Sequence, residues 1–215
     1  MAIGQSKPFL LLIFFTVFIC GNVLSQQRFK AGLIAGLNAS QILRDDVGGY
    51  NRLGIQGGLR AVAVLTNRTD VLFEILYSQR GSYDKIGSPK CYNGPLEIST
   101  KYIEVPVMAT IKDWFHEEDD YYRIQVSGGF SYGRLISASA IGSCHDDLTD
   151  LFNKNDISFT LGAEYFSSKH LSFGMRWSRS INLLYNRKNG EELTIPRNEN
   201  SLRGFFLSFR GAYIF

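Results

Sequence analysis

The sequence predicts an all-β protein, an eight-stranded antiparallel up-and-down β-barrel that crosses a membrane with its strands. Three observations predict it. Apolar and polar residues alternate with a period of two through eight segments; the connections between those segments alternate between long and short; and the last segment runs to a terminal aromatic, Phe215. The chain has 215 residues, 45% hydrophobic and 20% charged, the composition of one folded domain rather than of a disordered segment.

The first stretch is read separately from the barrel. Lys7 precedes a run from Phe9 to Ile19 that is apolar except for Thr16, and Gly21-Asn22 leads to Val23-Leu24-Ser25. That is the pattern of a secretory signal peptide over residues 1–25, so the expected mature domain is 26–215, beginning Gln26-Gln27. The run is shorter than the roughly 18 to 20 residues a spanning helix needs. Cys20 follows Ile19 rather than a small residue, which argues against a lipid-modified cysteine.

The eight strands are expected at 29–41, 54–65, 71–82, 99–112, 122–137, 156–166, 171–184 and 202–215. The sixth and seventh show the pattern best. Ile157, Phe159, Leu161, Ala163 and Tyr165 alternate with Ser158, Thr160, Gly162 and Glu164; Leu171, Phe173, Met175 and Trp177 alternate with Ser172, Gly174, Arg176 and Ser178. The connections 42–53, 83–98, 138–155 and 185–201 are long, and 66–70, 113–121 and 167–170 are short. In a meander, successive connections fall at opposite ends, so the long ones share one end and the short ones the other. Outer-membrane barrels are built this way.

Alternation alone does not say which row points inward. The apolar row holds Phe73, Ile75, Ile103, Val107, Phe130, Phe159, Phe173, Trp177 and Phe209, too many large side chains for the interior of eight strands, so it is expected to face lipid. The other row carries Arg60, Glu74, Glu104, Arg123, Glu164, Arg176 and Arg210 among glycines and serines. These four arginines and three glutamates are expected to meet inside as a structural ion-pair network, a catalytic or proton-conducting carboxylate cluster being the alternative. Aromatics gather near both predicted ends, as in interfacial girdles. Pro106 interrupts a strand and is expected to mark a bulge.

The stretches Phe29-Lys30-Ala31-Gly32-Leu33-Ile34-Ala35-Gly36-Leu37-Asn38, Glu74-Ile75-Leu76-Tyr77-Ser78-Gln79-Arg80-Gly81 and Tyr102-Ile103-Glu104-Val105-Pro106 have a further reading. With the closing aromatic strand and Gln26, they make the chain resemble the PorT-like outer-membrane β-barrel proteins of Bacteroidetes, small barrels of OmpX/OmpA type. The resemblance implies an outer-membrane location, outer-membrane lipid as surroundings and the barrel assembly machinery as partner during insertion, with Phe215 as the insertion aromatic. It also implies an association of some relatives with secretion or gliding machinery. It carries over no catalytic residues and no cofactor.

Beyond the signal region two cysteines remain, Cys91 and Cys144, both in long connections at the same predicted end. In an oxidising compartment a disulfide between them is the simple expectation. A metal site built on Cys144, His145, Asp146 and Asp147 lacks a second spaced ligand pair, so no metal is expected. His116, His145 and His170 adjoin no nucleophile in a recognisable motif, and the expectation is a protein that is not an enzyme. Without the signal region, basic and acidic residues stand at 22 to 20, with no basic cluster, which argues against a nucleic-acid partner. The expected role is structural, adhesive or partner-docking through the external loops. The alternatives are a lipid-modifying enzyme in the barrel wall and a soluble lipocalin-like binder.

Overall fold

The structure is a computed structural model that describes residues 28–43, 52–84, 96–141, 152–182, 185–186 and 201–215. The expected signal region and most of the four long connections, with Cys91, Cys144 and His145, lie outside the described residues. The strands are β1 (Phe29–Leu43), β2 (Arg52–Val64), β3 (Thr69–Asp84), β4 (Leu96–His116), β5 (Tyr121–Ile141), β6 (Asn155–Phe166), β7 (Leu171–Ser180), β8 (Tyr185–Asn186) and β9 (Ser201–Ile214). Every pairing is antiparallel. The order runs β1 to β7 and then β9, which pairs back on β1 from Gly32↔Ile214 to Leu43↔Arg203, so eight strands close a barrel. Closure removes the sheet edges and pairs each barrel strand on both sides within the wall, as a hydrocarbon environment requires. The two-residue β8 pairs only with β9. The expected seventh strand is therefore shorter, ending at Ser180 before a break.

The faces follow from the pleat. Phe73, Ile75, Val107, Phe130, Leu161, Phe173 and Phe209 point outward and are exposed, while their neighbours Leu72, Glu74, Met108, Ser131, Thr160, Ser172 and Arg210 are buried. A protein folded for water would bury the first set; this one displays it around the whole wall. The enclosed row is not wholly polar. Leu76, Tyr102 and Phe206 are buried inside, as are Leu72 and Met108, which cluster with Val62.

Two sequence expectations need correction. Pro106 sits in register opposite Ser131 of β5 with no bulge. On its other side, the β3–β4 ladder skips the pairs between Phe73↔Val107 and Leu76↔Glu104 without a register shift. The ring has no N–H to give, so the ladder loses bonds there and keeps its alignment. The register shift in this hairpin falls between Lys101 and Tyr102, where Ile136 of β5 is the extra residue.

The second short connection is also tighter than expected. Strand pairing continues through Phe115↔Tyr122 and His116↔Tyr121, leaving only residues 117–120, all acidic, as the turn. Aromatic side chains favour the pleated surface and hold the extension together. The Phe115 and Tyr122 rings lie 5.0 Å apart, and those of His116 and Tyr121 stack at 5.4 Å. This hairpin projects past its neighbours, since β3 begins at Thr69 opposite Ile111 while β4 continues to His116.

Candidate functional site

Apart from the Asp70–Lys112 pair near the short-turn end, the enclosed ion pairs among the described residues form two layers. In the layer nearer the short-turn end, Glu74 is reached from three strands. Arg176 donates from Nη1 and Nη2 to its two oxygens at 2.7 and 3.0 Å, Arg60 donates from Nε at 2.9 Å, and Arg210 from Nη1 at 3.2 Å. Glu164 accepts Arg60 Nη1 and Nη2 at 2.7 and 2.6 Å and Arg210 Nη2 at 2.6 Å. The geometry is that of bidentate guanidinium–carboxylate pairs shared between two acids. It ties β2, β3, β6, β7 and β9 across the lumen, and the side chains are between 0 and 3% exposed.

The second layer lies nearer the long-loop end. Arg80 donates from Nε to Glu104 at 3.0 Å and from Nη1 to Asp156 at 2.8 Å. Its guanidinium lies 3.8 Å from the Phe206 ring centre and 4.9 Å from that of Tyr102. Three arginines against two carboxylates below and one arginine against two carboxylates above make the two layers together neutral. The lower has an excess positive charge and the upper an excess negative one.

Small residues give this arrangement its room. Gly36 and Gly174 flank Arg210 on either side of β9. A methyl at Gly174 would meet Glu164 Cγ and the Ala163 carbonyl oxygen, and one at Gly36 would meet Arg210 and the Phe209 carbonyl oxygen.

The structure therefore brings Arg60, Glu74, Glu164, Arg176 and Arg210 into one cluster and places Glu104 in another. Arg123 joins neither. It lies three residues past the hairpin turn, with its guanidinium 5.7 Å from the Trp114 ring, and among the described residues it makes no ion pair. Trp114 has a φ of 60°, a backbone state rare for a bulky side chain. The ladder skips the pair between Asp113↔Ile124 and Phe115↔Tyr122 at this point. Arg123 keeps the parity of the lumen row but lies past the last β5–β6 pair, Ile124↔Tyr165, away from both charged layers.

Arg80 and Asp156 belong to the site although alternation did not single them out. Arg80 sits in the polar run Ser78-Gln79-Arg80-Gly81, where no apolar residue marks the opposite face; its even number, in phase with Glu74, was the available signal. His170 has a structural role, its Nδ1 lying 2.7 Å from the Ile214 carbonyl oxygen and its ring stacked on Tyr213. Among the described residues no group of three or more His, Cys, Asp or Glu is placed to hold a metal. Phe215 lies at the short-turn end, its N–H donating to the Ala31 carbonyl at 2.8 Å and its side chain exposed.

A closed barrel with an apolar exterior and a charged interior agrees with a family match. Residues 5–186 match the model of the outer membrane protein beta-barrel domain. The chain belongs to that family. Among solved structures it is similar to Ail, the attachment invasion locus protein of Yersinia pestis, at 10% identity and a TM-score of 0.46, covering 86% of this chain and 98% of that one. Neisserial surface protein A is similar at 13% identity and a TM-score of 0.45, covering 87% and 97%. The outer membrane protein AlkL is similar at 14% identity and a TM-score of 0.38, covering 90% and 94%. No curated protein matches the chain. The family assignment rests on the domain match, and the protein is an outer-membrane β-barrel.

Proposed function

We propose that this outer-membrane barrel is an exported, non-enzymatic protein that works through its long external loops, in a structural, adhesive or partner-docking role. The occupied lumen is the observation that carries the reading. Glu74 and Glu164 are locked between three guanidinium groups, and the Arg80 layer stacks above them, so the interior is committed to holding the wall together. In an up-and-down meander all four long connections share one end, and the reading puts the partner-facing surface there.

Reconstituted in planar bilayers, the protein is expected to give no steady single-barrel current. Stable unitary conductance that persists at constant voltage would overturn the plugged barrel.

The same proposal takes residues 1–25 as a cleaved export signal, Phe215 as the aromatic read by the barrel assembly machinery, and Cys91–Cys144 as a disulfide joining two external loops. Intact mass of the protein extracted from outer membranes tests two of these together. The expected value is that of the chain from Gln26 less two hydrogens, rising by those two hydrogens on reduction. A mass that does not change on reduction removes the disulfide.

A PorT-like kinship, with its link to secretion machinery, is the finer reading of the family. It is supported by the stretches 74–81 and 102–106, from which Glu74, Arg80, Tyr102, Glu104 and Pro106 all sit buried on the lumen side. Such residues keep a barrel plugged whatever its loops contact. Co-purification of secretion-machinery components with the tagged barrel is the expected result, and recovery of the barrel alone would remove the link.

A further inference from the structure

A cavity of about 540 Å³ opens at the short-turn end, below the lower charged layer, within the range of small-molecule sites. We propose that it binds a small amphiphilic anion, a carboxylate or phosphate group on a short alkyl chain, from the periplasmic side of the membrane. This is separate from any role of the external loops.

Two walls of different chemistry make the cavity. Val62, Leu72, Phe166 and Ile214 supply an apolar inner surface, continuous with the buried Val62, Leu72 and Met108 cluster. Lys30, Lys112 and Lys169 stand around it against two acids, Asp70 and Asp120. Lys112 is held by Asp70 at 2.9 Å, which leaves Lys30 and Lys169 in excess over Asp120. Arg60 forms part of the lining, and it belongs to the charged layer with one arginine more than its carboxylates. Among the lining groups the balance is positive and favours an anion, the other acids of the turn, Glu117, Glu118 and Asp119, lying outside the lining.

Gln125 supplies the independent observation. It lines the cavity, is 4% exposed, and its Nε2 has no acceptor among the described residues. A buried amide donor is costly unless something accepts from it. A ligand oxygen in the cavity would do so, while its alkyl part lies against Val62 and Leu72.

The projecting hairpin closes one side, with Phe115, Tyr121 and Tyr122 in the lining, and the Tyr121 hydroxyl donates to the Ser167 carbonyl at 3.3 Å. That bond joins the projecting hairpin to the neighbouring turn after β6, on the same side of the rim. The cavity is thus bounded by groups from several strands rather than by one turn.

The test uses isotope-labelled full-length mature barrel in lipid nanodiscs, titrated separately with hexyl phosphate, hexanoate, inorganic phosphate and hexylamine at constant lipid. The side-chain amide resonances of Gln125 and, so that every variant has a readout, the backbone amide resonances of Leu72 and Phe166 in the same lining are followed. Hexyl phosphate and hexanoate are expected to shift them saturably, and the tighter of the two shows whether a phosphorylated lipid fragment or a free short-chain acid is the better source. Inorganic phosphate is expected to act more weakly and hexylamine not at all. The double variant Lys30→Gln with Lys169→Gln, at two exposed positions, is expected to weaken binding by about tenfold. Gln125→Leu is expected to weaken it severalfold while the barrel stays folded. Equal response to hexylamine, equal response to inorganic phosphate, or unchanged affinity in the lysine variant would each overturn the proposal.

Discussion

Replacing Glu74 by alanine is expected to destabilise the barrel by roughly 3–5 kcal/mol, the range for removing one partner of a buried ion pair. Glu74 holds both terminal nitrogens of Arg176, so its loss leaves that guanidinium with no carboxylate at all. Arg60 and Arg210 retain Glu164, but the cluster would then bring three cations around one acid. Glu74→Gln is expected to fall between wild type and alanine, because it keeps one acceptor oxygen and turns an amide donor toward a guanidinium. Glu104→Ala is expected to cost less than Glu74→Ala, since Arg80 keeps Asp156 and the Phe206 and Tyr102 rings. Urea unfolding in detergent micelles, or the temperature at which the folded band shifts on a gel, reads the order. If Glu74→Ala unfolds together with wild type, the central cluster does not hold the wall.

How much of this site could be read in advance depends on what each signal reports. A period of two assigns a residue to a face without naming its neighbour across the lumen. Arg60 and Glu74 are adjacent on paired strands, so a hairpin register gives that contact. Arg176 meets Glu74 at a separation of 102 residues, and only the closure of β9 on β1, with the stagger it imposes, brings them to one level. Arg80 and Asp156 lie where flanking polar residues blur the alternation, so their row was harder to see. Arg123 has the parity of the lumen row but sits beyond the barrel, where the left-handed backbone at Trp114 breaks the extrapolation. The strand positions themselves were legible because lipid on one side and a charged lumen on the other enforce alternation along most of each strand. The extra strand length around Asp113 to His116 was not, because acidic residues next to aromatics read equally well as a loop.

An arginine at Leu161 is expected to cost about 2–4 kcal/mol, because that side chain faces the hydrocarbon near mid-height of β6. Leu161 is 46% exposed and lies between Gly128 of β5 and Trp177 of β7, with no charged partner in either register position. Its neighbour Thr160 is 1% exposed and shares a hydrogen bond with Ser178 at 3.3 Å inside the barrel. One residue along the strand therefore separates two solvents. The decisive variable is depth. Ile157→Arg and Tyr165→Arg, toward the two ends of the same outward row, are expected to cost only about 0–1 kcal/mol, since a long guanidinium there reaches the interface. Folding titrations into lipid vesicles measure all three. A cost that peaks at Leu161 and falls toward both ends follows from lipid facing the apolar row. A flat profile, with Leu161→Arg near neutral, would mean that water faces it, and the inside-out assignment of the whole wall would have to be reversed.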